Sequence, residues 1–346
     1  MEKNQVMRTF LDGLLASRAI AWEGDPGGNP WILSLFGAKS RQRTIELAGQ
    51  VEVFVLPSAA SESRVIVNPR NRGGYLIGLS PLIADLSTEI AFLIEIAYLA
   101  EGMSTSSSAR RDLDRIVVSY LQCIDWGSES QRPAGPLSAF RTEAELIPDG
   151  APVPTGGGPT EIWEAYTIFS LAHELAHIEA EHFADELPHA PMPAAAPLTL
   201  KMRREVEADC AAYMAHVNYR LFEDHYNDPR PPPKGFRAKK KQAKRERDIT
   251  LWAGRQAIEA SESFYTAMRI IAAYALTKGD IPRAERLKGV AERRTYAHRY
   301  IDEVMLNLFG LRHFNVSFLL DWAELYRQGH DHFSAHFCDE VLPTLD

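Results

Sequence analysis

Between Ala165 and Ile178 the chain carries fourteen residues with a single acid, Glu174, and no lysine or arginine. Its order, Tyr166-Thr-Ile-Phe-Ser-Leu-Ala-His-Glu-Leu-Ala-His-Ile178, has helical composition with no breaker inside it. A helix without charge on any face is buried on all of them, so the rest of the fold must wrap around this one. A lone carboxylate in such a helix needs a partner or a proton. The segment therefore sets two requirements: other helices on several sides, and chemistry at Glu174.

That chemistry is legible in the spacing. His173-Glu174-Leu-Ala-His177 is a His-Glu-x-x-His pattern, and random placement of this chain's His and Glu would produce roughly 0.03 copies. Positions i and i+4 share a helix face, so His173 and His177 can converge on one ion, with Glu174 beside that face as a proton acceptor. Catalytic zinc uses three protein ligands and an open position. The next helix offers Glu205-Val-Glu207-Ala-Asp209, where Glu205 and Asp209 are again i and i+4. Glu205 is expected to ligate and Asp209 to accept the outer N–H of a ligand histidine. Glu207 points to another side and is the weaker choice.

Composition limits the setting. The 346 residues carry a net charge of -8 and no run long and apolar enough for a bilayer span; Asp85, Glu89 and Glu95 interrupt the most apolar stretch. The first twenty residues lack a signal-peptide centre, and Cys123, Cys210 and Cys338 form no CxxC. A soluble, cytoplasmic protein is the expectation. Charge is unevenly spread: nine Lys/Arg face one acid between Arg230 and Arg247, whereas ten acids face one base from Arg141 to Ala190.

Along the chain, breakers and periodicity predict an N-terminal helix within residues 1–29 and β-type runs at Thr44–Leu56, Arg64–Val67 and Tyr75–Leu79. Helices follow near 81–101, 110–124, 160–186 and 199–224, with Ser80, Thr160 and Thr199 as caps. The Pro/Gly-rich stretch 127–159 reads as a long loop. Residues 226–244, with Pro231-Pro-Pro233 and the lysine run, read as a basic linker or loop. Helices near 243–277 and 281–309, then two shorter ones, form a helical C-terminal region at 245–346. The fold class is α+β, predominantly helical, with a core at 30–225.

The pair His173-Glu174-Leu-Ala-His177 and Glu205-x-x-Ala-Asp209 resembles the gluzincin metallopeptidases, most closely the HtpX and CAAX-processing proteases. ImmA/IrrE-type regulatory peptidases carry similar pairs, and the Lit phage-exclusion peptidase is a looser likeness. The resemblance spans roughly residues 50–225. It implies a zincin-like core with a small sheet or hairpin before the active helix, and one zinc ion on His173, His177 and Glu205. It further implies Glu174 as general base, and an edge strand that aligns substrate. HtpX-type proteins are membrane-embedded and this chain has no such segment, so that substrate class does not transfer. The metzincin pattern is absent, because Ala180 and Phe183 stand where it needs Gly and His, and His182 falls one place short.

The expected activity is hydrolysis of a specific intracellular protein in a regulatory or phage-defence setting. The alternative is a non-proteolytic, zinc-stabilised binding module whose basic segment contacts nucleic acid or a partner protein. An oxyanion donor is sought among Tyr213 and His216, which continue the Glu205–Asp209 face, and His298. His330, His332, His336 and Cys338 crowd the C-terminus without a regular ligand spacing.

Overall fold

The computed structural model describes residues 50–56, 63–67, 74–95, 108–126, 159–180, 199–227, 234–287, 289–309 and 314–345. The expected N-terminal helix, the 127–158 loop and the strand residues before Gln50 lie outside them. Among the described residues no helix is long and apolar enough to cross a membrane.

Three short strands, β1 (Val51–Val55), β2 (Arg64–Val67) and β3 (Tyr75–Leu79), form one sheet in the order β1-β3-β2. β1 runs parallel to β3 and β2 antiparallel to it, with Val65 opposite Ile77. Among the described residues β2 is thus an edge strand. Ser80 turns the chain from β3 into α1 (Pro81–Ile94): its hydroxyl accepts from Ile83 N–H at 3.3 Å, while its own N–H donates to Ser63 Oγ at 3.0 Å. Hydroxyl cap and first-turn proline are the reason the helix starts there. Every residue of α1 is buried. Its acids are tied down inside: Trp163 donates to Asp85 at 3.1 Å, and Arg255 meets the following Glu95 at 2.6 Å.

The remaining elements are helical. They are α2 (Ser108–Trp126), α3 (Pro159–Glu179), α4 (Leu200–Asn227), α5 (Phe236–Thr277), α6 (Ile281–Arg286), α7 (Val290–Phe309) and α8 (Phe314–His336), followed by a π turn and a short 3-10 turn. The fold is therefore α+β and predominantly helical. α3 packs against α1, α4 and α5 and touches β2 and β3, which accounts for its lack of charge. One continuous apolar core runs from Ile77 to Leu342, so the 226–244 region does not divide the hydrophobic interior.

Three local outcomes differ from the sequence reading. Residues 236–244, read as linker or loop, are the first turns of the 42-residue α5. Lys, Arg, Gln and Ala are strong helix formers there, and the prolines that suggested a loop lie before Gly235. The single helix expected over 281–309 is broken into α6 and α7 at Gly289, whose φ is +82°. The left-handed backbone there favours glycine, and the turn packs beside the end of the Met202 side chain of α4. After Phe314 one helix, not two, precedes the terminal turns. Elsewhere the caps act as read: Thr199 Oγ1 accepts from Met202 N–H at 3.3 Å, and Gly279, at φ +72°, closes α5. The Thr160 side chain lies outside the described residues.

Candidate metal centre

α3 and α4 lie side by side, and their paired i, i+4 residues face each other across the seam. His173 Nε2 and His177 Nε2 are 3.1 Å apart, with the rings edge to face. Glu205 brings Oε2 to 3.7 Å from His173 Nε2 and Oε1 to 3.8 Å from His177 Nε2. Among the described residues these three form the one group whose ligand atoms lie within 4.8 Å of one another. Two imidazole nitrogens and a carboxylate oxygen are a donor set that could hold a metal ion.

The outer side of the group is held by Asp209, which is 1% exposed and places Oδ1 2.9 Å from His173 Nδ1. Burial disfavours a charged imidazole at His173, but Asp209 outweighs it and raises its pKa. Asp209 itself resists burial through Arg293, whose guanidinium donates from Nη2 at 2.6 Å and also from Nε, and through Tyr265 OH at 2.7 Å. Against the upward push of burial, Arg293 and His173 hold its carboxyl well below the usual range. Arg293 Nη1 also donates to Glu205 Oε2 at 2.8 Å, so one guanidinium grips both acids of the α4 face. Arg293 belongs to the first turn of α7, which the Gly289 turn sets against α4.

Glu174 stands on the cavity side. Burial and the nearby Glu205 carboxylate push its pKa up to about 7, against the pull of His173, Arg293 and a hydrogen bond from the Val65 backbone N–H. The edge strand β2 and the acid of the motif are therefore in direct contact. A cavity of about 830 Å³ opens over the group. Its walls include Ser63 just before β2, Arg64 and Val65 within it, Tyr166 and Phe169 of α3, Phe264 and Met268 of α5, and Arg293.

The other expected residues lie elsewhere. Tyr213 and His216 are fully buried and do not line the cavity. Tyr213 faces the charges of Asp302 and Arg327. Burial and Arg220 push the His216 pKa down to about 3, so it stays neutral. His298 pairs with Glu262 in a separate cluster. Glu207, 8% exposed, is outside the ligand group. The C-terminal residues do not converge either: His330 meets Thr266 at 2.8 Å, His336 lies between Asp114 and Glu340, and His332 is exposed. Sequence reasoning missed Arg293 and Tyr265. The available signal was Asp209 itself, since a buried acid with one histidine partner is under-satisfied and calls for further donors.

Compared with protein-family models, with curated proteins and with solved structures, the chain finds no match.

Proposed function

We propose that this chain is a zinc-dependent endopeptidase of gluzincin type, with a specific intracellular protein as its substrate. The observation that carries the reading is the position of Glu174: a buried carboxyl on the wall of a cavity of about 830 Å³, one residue from a converged His/His/Glu group, with burial pushing its pKa upward. A general base works best when its pKa lies near the operating pH. His173, His177 and Glu205 would hold the ion, and Asp209 with Arg293 and Tyr265 fixes how two of those ligands are presented.

A zinc ion held there supplies Lewis acidity to a carbonyl and to water. Glu174 accepts the proton of the attacking water at its carboxylate and delivers it to the leaving amine as the C–O bond forms and the C–N bond breaks. The Val65 N–H steadies that carboxylate on the wall of the cavity. The exposed edge of β2 offers backbone groups to an extended peptide. The structural-zinc alternative calls for four protein ligands, and the group among the described residues has three.

The test is proteome-wide mapping of new protein N-termini in cells expressing wild type or Glu174→Gln. Cleavage events present with wild type and absent with the variant are expected. Identical N-termini in both, with zinc retained in the wild-type protein, would overturn the reading.

A further inference from the structure

The basic segment at the start of α5 is not used by the metal centre. In the structure it is a helix end standing free of the body: all residues from Lys234 to Lys244 are exposed, and Phe236 is 82% exposed. Lys234, Arg237, Lys239, Lys240, Lys241 and Lys244 have no ion-pair partner among the described residues, whereas Arg245 is bound to Asp224 of α4 and anchors the helix. At about 100° per residue, Arg237, Lys240, Lys241 and Lys244 fall within an arc of about 100°, and Lys239 projects from the opposite side. They span about 10 Å of helix axis, at 1.5 Å per residue. The chain as a whole is net negative, so this end is the place where a polyanion meets attraction rather than repulsion.

We infer that this projecting helix end is a docking surface for double-stranded nucleic acid, gripping phosphates without reading bases. Three observations favour a duplex over other polyanions. A helix fits the roughly 12 Å major groove, where phosphate rows flank it on both sides. With phosphates on both sides, Lys239 finds a partner as well as the stripe formed by Arg237, Lys240, Lys241 and Lys244, while a flat surface would meet the stripe alone. A membrane requires an apolar face, and from Arg237 to Lys244 the helix offers only Ala238 and Ala243. Single strands bind through stacked aromatics, and Phe236 is the lone aromatic here.

This inference is independent of the proposed peptidase activity. The experiment measures binding of the full-length protein to a labelled duplex of about 20 base pairs, two helical turns, over a salt series. Parallel arms use a single strand of the same length, phosphatidylserine vesicles and polyglutamate. Four or five neutralised phosphates predict a log–log salt slope of about -4. The variant Lys239→Gln/Lys240→Gln/Lys241→Gln, checked for unchanged helicity by circular dichroism, should bind at least about tenfold more weakly, with a slope smaller by two to three. Glu174→Gln should bind as the wild type does. No duplex binding at low salt, equal binding by the triple variant, or tighter binding to any of the three other probes would overturn the inference.

Discussion

Arg293 and Arg294 are neighbours on α7, yet they serve two buried carboxylate clusters of opposite character. Arg293 reaches Asp209 and Glu205 at the metal centre. Arg294 reaches Glu262, at 2.8 Å, and Asp331. Glu262 is fully buried and also meets His298 and, at 3.5 Å, Arg327, which in turn holds Asp302. The first draws on α3, α4, α5 and α7, the second on α5, α7 and α8. The difference is what remains unspent. Around Glu262 the acids and guanidinium groups answer each other, and none of the group lines the cavity. At the metal centre two imidazole nitrogens face one another at 3.1 Å with a carboxylate beside them, under an open cavity. Buried charge is thus a poor marker of function on its own. Ligand-type atoms of His173, His177 and Glu205 converging beside accessible space are the informative sign.

The contrast can be broken most sharply at Glu262. Replacing it by Ala removes the buried carboxylate that Arg294, Arg327 and His298 share, so Glu262→Ala should lose about 3–5 kcal/mol of stability, the usual result of removing one partner of a buried ion pair. The fraction that folds should still bind zinc, because Glu262 contributes no ligand. Urea denaturation with metal analysis of the folded protein checks both halves. Folded Glu262→Ala without metal would join the two clusters into one functional unit.

The next effect concerns pH. In the metal-free protein Glu174 has its pKa raised from the usual 4.5 to about 7 by burial. A carboxyl raised on folding keeps its proton longer than in the unfolded chain, so its contribution favours folding at low pH and fades as pH rises from about 4.5 through 7. At about 1.4 kcal/mol per pH unit, wild type should lose up to about 3 kcal/mol relative to Glu174→Gln across that window. Denaturant titrations of both metal-free proteins at pH 4.5 and 7.5 measure it. A difference that does not change with pH would mean that Glu174 is not held in its protonated form.

A smaller loss is expected at Asp209, which touches the imidazole of His173 and not the ion. Asp209→Ala should weaken zinc binding by about 10–100-fold in a chelator competition, as loss of an orienting carboxylate does. Unchanged affinity would reduce Asp209 to a partner of Arg293 alone.

Much of the centre was legible because helix geometry ties spacing to faces. His173, His177, Glu205 and Asp209 come together through two i, i+4 pairs, and the uncharged flank of α3 announced its burial. Arg293 could not be found that way. It lies 84 residues beyond Asp209, between Glu292 and Arg294, and reads as one more charge on a surface helix. Its role depends on the left-handed turn at Gly289 and on the packing of α7 against α4, which no periodicity encodes. Tyr213 and His216 failed in the opposite way. Their spacing continues the Glu205–Asp209 face, but α4 runs on into the core, where that face meets other helices instead of the cavity. The order β1-β3-β2, which leaves β2 against Glu174, follows from packing on α3 and not from strand composition.

The most direct measurement is the metal content of purified wild type, His177→Ala, Glu174→Gln and His298→Ala after equilibration with zinc. One equivalent is predicted for wild type, Glu174→Gln and His298→Ala, and a loss of stoichiometric zinc for His177→Ala. A full equivalent in His177→Ala, or its loss in His298→Ala with the fold intact, would contradict the placement of the ion on His173, His177 and Glu205.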